Sequence, residues 1–440
     1  MRRSDSKRDN TRQSTTMTRR TMLFGTTAAA LAGCSGAGNL AGPPTVFGPS
    51  GGYPTTGIIA GNQTAQAPVF FVTDRATDPD GTFNADRSPT VTYGEQVINL
   101  GGPDTTWDDL LDQANGGNVD LPLSVHSLRI DGTIPATPVP FRLDSAGRPQ
   151  DAPGPTAEYR AAQRRVQSDI AQRLAAAGTG DILMFVPGVN TPFDAGSIEL
   201  ADVWHQTGRT SVPILYSWPS GRNGVIGYFT DRESGQFTVF HLKEFLKLLA
   251  STPGVERIHL LAHSRGSDVS TTALRELIIA ERAAGRNPRK TLKVENLILA
   301  APDLNFGVVS QRVIAERLGP AFGQITAYTN PSDNALALAQ RLMSGARFGR
   351  LDPNDIPSNI QEIFSQINNV NFIRIEEAGS RFGHSYYRQN PDVLSDIIMI
   401  IRSCAKPGSP QRPLSPINGN FWLLPEGYLS DVALPIGGCG

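Results

Sequence analysis

Cysteine is scarce. The 440-residue chain has three, Cys34, Cys404 and Cys439, which excludes a disulfide-stapled scaffold and any zinc site built from four thiolates. Beyond the first forty residues, no apolar run reaches the roughly 18 residues needed to cross a bilayer. No lysine–arginine run interrupts the body. Charged side chains make up only 18% of the chain, and the net charge is −1. Residues 1–33 hold seven basic and two acidic side chains, so everything after them is mildly acidic. Such a body offers no basic stripe to a phosphate backbone, which excludes nucleic acid as a partner. No GxxxxGK loop is present to cradle a nucleotide. No period of 20–50 residues recurs, which argues against solenoids and propellers. No motif calls for a cofactor or a resident metal, and the oligomeric state is not legible.

Glycine and proline are abundant by contrast, at 44 and 33 residues. Together they stay below the roughly 25–30% that marks a disordered chain, so the excess belongs in loops and tails. At roughly 100–200 residues per domain the length allows two or three domains, although one α/β sheet with its helices can fill most of it.

The first forty residues read as an address. Arg19-Arg20 precede an apolar run, Met22 to Ala32, that is too short to span and suits a signal-peptide core. The pair resembles the twin-arginine export signal of bacteria. Leu31-Ala32-Gly33-Cys34 resembles a lipobox, in which the leader is cleaved before the cysteine and the thiol is acylated. The expectation is a signal peptide over 1–33 and lipidation at Cys34, with export to the bacterial cell envelope and a membrane anchor through that lipid. Residues 34–66 are poor in large apolar side chains and read as a flexible tether.

The body, 67–403, alternates apolar strand runs with helical patterns. Val69 to Val72, Tyr93 to Leu100 and Leu121 to Ile130 read as early strands, and the Pro-rich stretch 131–155 as a connection. A helix follows from Thr156 to Ala177. Ile182 to Val186 is a continuous apolar run, as expected of a strand buried on both faces. Residues 194–207 read as a helix, Val212 to Tyr216 as a strand, and Thr230-x-x-Glu233 as a capping box opening a helix. Ile258 to Ala262, Leu297 to Ala300, Gln324 to Tyr328 and Phe372 to Ile375 are further strands. The pattern predicts an α/β fold with a mostly parallel, doubly wound sheet flanked by helices, preceded by extra N-terminal strands. Residues 404–440 read as a C-terminal tail.

Chemistry collects at the strand ends. Ala262-His263-Ser264-Arg265-Gly266 joins a strand to a helix and fits a relaxed nucleophile elbow, where small residues two before and two after the serine avoid clashes at a strained turn. In this fold the order is serine, acid, histidine. Of six histidines only His384 follows Ser264. His259 and His263 are four apart, but on a strand and its turn rather than on a helix face, so they do not form a metal pair. The acid is Asp333 or, alternatively, Asp303. Each follows a strand, and each could instead cap the helix after it. Pro187-Gly188-Val189-Asn190 follows a buried strand, which makes the backbone N–H groups of Val189 and Arg265 candidate oxyanion donors. Phe193, Tyr216 and Trp218 line the cleft or belong to the core. Residues 341–371 form a lid or a wall.

Val72-Thr73-Asp74-Arg75, Gly188-Val189-Asn190-Thr191-Pro192-Phe193, Tyr216-Ser217-Trp218-Pro219-Ser220, His263-Ser264-Arg265-Gly266, Ala301-Pro302-Asp303 and Ser332-Asp333-Asn334-Ala335-Leu336 occur in that order. Together they resemble a bacterial group of alpha/beta hydrolases described as a domain of unknown function. The resemblance covers about residues 68–403 and departs at Pro187, where members often carry histidine. It implies the alpha/beta-hydrolase fold and a Ser264–Asp333–His384 triad, and no particular substrate. The activity expected is esterase- or lipase-like hydrolysis of carboxylic esters or related acyl compounds through a covalent acyl-enzyme. The alternative is a non-catalytic surface lipoprotein that uses the fold as a binding or scaffolding module. With Cys34 lipidated, Cys404 and Cys439 form an even pair expected to bridge in an oxidising compartment.

Overall fold

The computed structural model describes residues 38–48, 52–117, 120–375, 383–432 and 439. The signal segment and Cys34 lie outside the described residues. In chain order come β1 (Gln66–Thr77), β2 (Phe83–Leu100), α1 (Trp107–Ala114), β3 (Leu123–Ile134) and a hairpin of β4 (Phe141–Leu143) and β5 (Pro149–Asp151). Then follow α2 (Pro153–Ala177), β6 (Asp181–Val186), α3 (Phe193–Gln206), β7 (Val212–Ser217), α4 (Gly224–Ser251), β8 (Arg257–His263) and α5 (Gly266–Ala283). After these come α6 (Pro288–Leu292), β9 (Val294–Ala300), α7 (Phe306–Val309), β10 (Gln324–Thr329), α8 (Asn334–Met343), α9 (Ser358–Ser365) and β11 (Val370–Ile375). The chain closes with α10 (Tyr386–Gln389), α11 (Pro391–Ser403), β12 (Ser415–Asn418) and β13 (Phe421–Leu424).

Eleven of these strands form one sheet in the order β12-β13-β11-β10-β9-β8-β6-β7-β1-β2-β3. From β13 to β1 every neighbouring pair is parallel, and antiparallel pairs occur only at the two edges. This is the alpha/beta-hydrolase architecture, with β2 and β3 as the extra N-terminal strands. The central strands explain why the sequence lacks alternation there. Ile182, Met184 and Val186 of β6 pack into one core, while Leu183 and Phe185 pack into a second core across the sheet. A strand covered on both faces needs apolar side chains at every position.

The structure differs from the sequence expectations in four places. The described residues 38–48 and 52–65 do not hang free. Leu40, Val46, Phe47, Tyr53 and Ile58 are buried. The turn at 45–47 packs on α11, where Val46 N–H donates to Ser395 Oγ at 3.1 Å, and Ala41 and Tyr53 sit on α3, which is buried at every position but Asp194. Ala41 N–H donates to Asp202 Oδ1 (3.2 Å), Gln206 Nε2 donates to the Ala41 carbonyl (3.0 Å), and the Tyr53 ring stacks on His205 at 4.7 Å. A few well-spaced large side chains suffice when each finds a pocket. The C-terminal residues likewise do not trail as a tail but add β12 and β13 to the sheet beside β11. The expected bond between Cys404 and Cys439 is present, with Cα atoms 5.0 Å apart. The helix α4 starts at Gly224, so Thr230 lies inside it and its hydroxyl bonds back to the Ile226 carbonyl instead of capping. The stretch 131–155 holds the end of β3 and the β4–β5 hairpin rather than a plain connection.

Candidate active site

The elbow sits between β8 and α5. Ser264 has φ of 51°, in the left-handed region where a non-glycine residue is strained. Its N–H donates to the Ala300 carbonyl at 2.9 Å, and its own carbonyl accepts from Asp303 N–H at 3.1 Å. The turn is thus pinned to the end of β9. Gly266 shows why the motif needs a small residue. A Cβ there would lie 2.3 Å from the Val186 carbonyl oxygen and 2.4 Å from that of Pro187, both backbone atoms that cannot turn aside. Gly188 closes the other side, because a Cβ on it would come 2.9 Å from Ser264 Cβ and 3.5 Å from Ser264 Oγ.

Asp333 lies just past β10 and serves two partners. Its Oδ1 accepts from Leu336 N–H at 2.9 Å and caps α8, while its Oδ2 meets His384 Nδ1 at 2.7 Å. The cap and the histidine contact, alternatives in the sequence, are divided between the two oxygens. Burial disfavours the charge on Asp333, but His384 and the Leu336 N–H outweigh it and hold its carboxyl below the usual range. Burial likewise acts to lower His384, and Asp333, then Asp303 and Glu199, reverse this and hold the imidazole above its usual value.

Asp303 goes elsewhere. Tyr228 donates to its Oδ2 at 2.6 Å, and its carboxylate lies 3.7 Å from the Arg265 and 3.5 Å from the Arg347 guanidinium. It acts on His384 through charge, with no hydrogen bond between them among the described residues. Of the expected oxyanion donors, neither the Val189 nor the Arg265 N–H is engaged in a hydrogen bond among the described residues. Arg265 is the N-cap residue of α5, immediately ahead of the free N–H groups at the positive end of that helix.

Phe193, Tyr216 and Trp218 are core residues and do not line a cleft. All are buried. Phe193 packs edge-on to Phe71, the Tyr216 hydroxyl pairs with Thr238, and the Trp218 indole donates to the Pro187 carbonyl at 2.7 Å. Through that bond Trp218 braces the loop that carries Val189. Three further residues act on the site with no role legible in the sequence. Arg75, fully buried, donates to Ser217 Oγ (2.8 Å), the Ser220 carbonyl and the Thr191 carbonyl (2.8 Å). Burial lowers its pKa to about 10. Asp231 accepts from Asn190 N–H at 2.8 Å and from Gly221 N–H at 3.0 Å. The third is His263. Its Nε2 donates to the His384 carbonyl at 3.1 Å, and its ring lies 4.8 Å from that of His384 and 4.7 Å from that of Tyr387. Burial and the neighbouring His384 push its pKa down to about 3, so it is neutral and fixes the backbone of His384. The signal for Arg75 and Asp231 was a charged residue in or beside an apolar stretch, which must find partners when buried.

Among the described residues no group of three or more His, Cys, Asp or Glu side chains is arranged to hold a metal ion, and no helix is long and apolar enough to cross a membrane. No curated protein matches the chain. A solved structure described as "putative cell surface hydrolase from Lactobacillus plantarum WCFS1" is similar at 12% identity and a TM-score of 0.24, covering 42% of this chain and 89% of that one. The model of a family described as alpha/beta hydrolases of unknown function matches residues 162–403, more than half of the length, and the chain belongs to that family.

Proposed function

We propose that the chain is a serine hydrolase of carboxylic esters or related acyl compounds, with Ser264, His384 and Asp333 as its triad. The observation that carries this is the 2.7 Å contact of Asp333 with His384 Nδ1, together with a serine held at φ 51° between strand and helix, whose Oγ makes no hydrogen bond to His384 among the described residues. With Nδ1–H donated to Asp333, Nε2 is the basic nitrogen. It removes the proton from Ser264 Oγ as that oxygen attacks the acyl carbon. The N–H groups of Val189 and Arg265 hold the oxyanion. Collapse expels the alcohol, which takes its proton from the imidazolium, and water admitted by the same base releases the acid and restores Ser264. The twin arginine and the lipobox support export and anchoring through Cys34. Hydrolysis of p-nitrophenyl esters by wild type and by Ser264→Ala tests the proposal: loss of turnover in a variant that melts normally supports it, and turnover that persists contradicts it.

A further inference from the structure

A cavity of 710 Å³ lies between α5, strands β9 to β11 and the connections 304–322 and 348–370. Its lining includes Leu274, Leu299, Leu304, Ile325, Phe348 and Phe372, all buried. Arg317, Gln366 and Asn368 stand exposed at the rim of the cavity, and its other polar side chains are already spent. Thr271 donates to the Ser267 carbonyl at 2.7 Å, and Asn369 donates to the Gly319 and Phe322 carbonyls at 2.8 and 3.1 Å. Protein interiors leave few voids larger than a water molecule. Water is a poor occupant of an apolar space because it finds no hydrogen-bond partners there. The volume falls within the roughly 300–1,000 Å³ of small-molecule sites, and the lining selects for hydrocarbon.

One end of the cavity reaches the turn that pins the nucleophile's backbone, although Ser264, Asp333 and His384 are not on its lining. Leu304 follows Asp303, whose N–H bonds the Ser264 carbonyl at 3.1 Å, and the Leu304 carbonyl accepts from Phe348 N–H at 2.8 Å. We infer that this cavity takes the fatty-acyl chain of the substrate, so that the enzyme acts on lipid esters. The inference rests on the serine-hydrolase proposal for its chemistry, while the binding site stands on the cavity alone. Phe348, Ile363, Phe364 and Ile367 make the segment 341–371 a wall of the acyl site.

The test uses the full chain carrying Ser264→Ala, which separates binding from turnover, with cis-parinaric acid as the fluorescent probe. Saturable binding, displaced by palmitate and not by acetate, is expected. Leu299→Trp, which fills the cavity from β9, should weaken it by about tenfold or more. Ile363→Trp is the second filling variant, at a partly exposed position of α9 that tolerates change, and it decides alone if Leu299→Trp does not fold. On the Ser264 enzyme, the ratio of kcat/KM for p-nitrophenyl palmitate to that for p-nitrophenyl acetate should fall by a similar factor in the filled variants. Absence of parinarate binding, or binding that both filled variants retain, overturns the inference. Binding that behaves as expected in a chain that cleaves no ester overturns the hydrolase proposal and leaves the acyl site standing.

Discussion

Replacing Asp333 by asparagine separates its two jobs. An asparagine oxygen can still accept from Leu336 N–H, 2.9 Å away, so α8 keeps its cap. Its NH₂ then faces His384 Nδ1, where a carboxylate oxygen now sits at 2.7 Å. Nδ1 must turn acceptor, the proton moves to Nε2, and Nε2 can no longer take the proton from Ser264. A wrong tautomer of this kind costs on the order of 10⁴ in kcat, about 5.5 kcal/mol at 1.36 kcal/mol per decade. The sign of the pH effect also follows. The base works when neutral, and Asp333 holds its pKa above the ordinary 6.5. In wild type the rise of kcat/KM with pH should therefore be centred above 6.5, and in Asp333→Asn the residual rise should move to lower pH. Asp303→Asn, two steps from the imidazole by way of charge alone, should cost far less. The assay is p-nitrophenyl butyrate hydrolysis between pH 5 and 10, on variants whose thermal melts match wild type. A kcat for Asp333→Asn within tenfold of wild type, with Asp303→Asn the severe change, would refute the assignment.

Gly266→Ala drives a Cβ to within 2.3 and 2.4 Å of two backbone oxygens, so a loss at the upper end of about 1–3 kcal/mol is expected by denaturant titration. Gly154→Ala, with nothing within 4 Å, should be close to neutral, and equal effects at the two glycines would defeat the packing argument. His263 has a folded pKa near 3 against 6.5 in the unfolded chain. The unfolded state therefore binds the proton first, and stability complete above pH 6.5 is lost as pH falls toward 3, by a few kcal/mol in order of magnitude. His263→Gln should melt less steeply with falling pH than wild type; parallel curves would show that the ring is not held neutral. The mature chain in a membrane fraction should begin at an acylated Cys34 by mass spectrometry, and a soluble chain with an unmodified thiol there would contradict the anchor.

Much of the central sheet was legible because a strand covered on both faces leaves an unbroken apolar run, as in Ile182 to Val186. The elbow was legible because a strained serine needs small neighbours at fixed offsets. The N-terminal segment was not, since Leu40, Phe47 and Tyr53 are sparse in sequence and become a covering layer only once α3 and α11 offer a surface. Phe193 and Trp218 follow strands just as cleft residues would, and only packing against Phe71 and against the Pro187 carbonyl decides their place. Asp303 and Asp333 each follow a strand, and the resemblance favours Asp333 where strand position alone does not decide. The guanidinium groups of Arg265 and Arg347 draw one of them away, and residues so far apart in the chain give no local signal.

The central claim is that Ser264 is a nucleophile activated by His384. A fluorophosphonate probe reacts with such a serine by displacement of fluoride, which leaves a stable phosphonyl adduct. After labelling of the intact chain and proteolysis, the adduct should map to the peptide carrying Ser264. It should vanish in Ser264→Ala and fall steeply in His384→Ala, while both variants keep the wild-type melting profile. An adduct on another residue, or labelling of Ser264→Ala at the wild-type rate, would contradict the account.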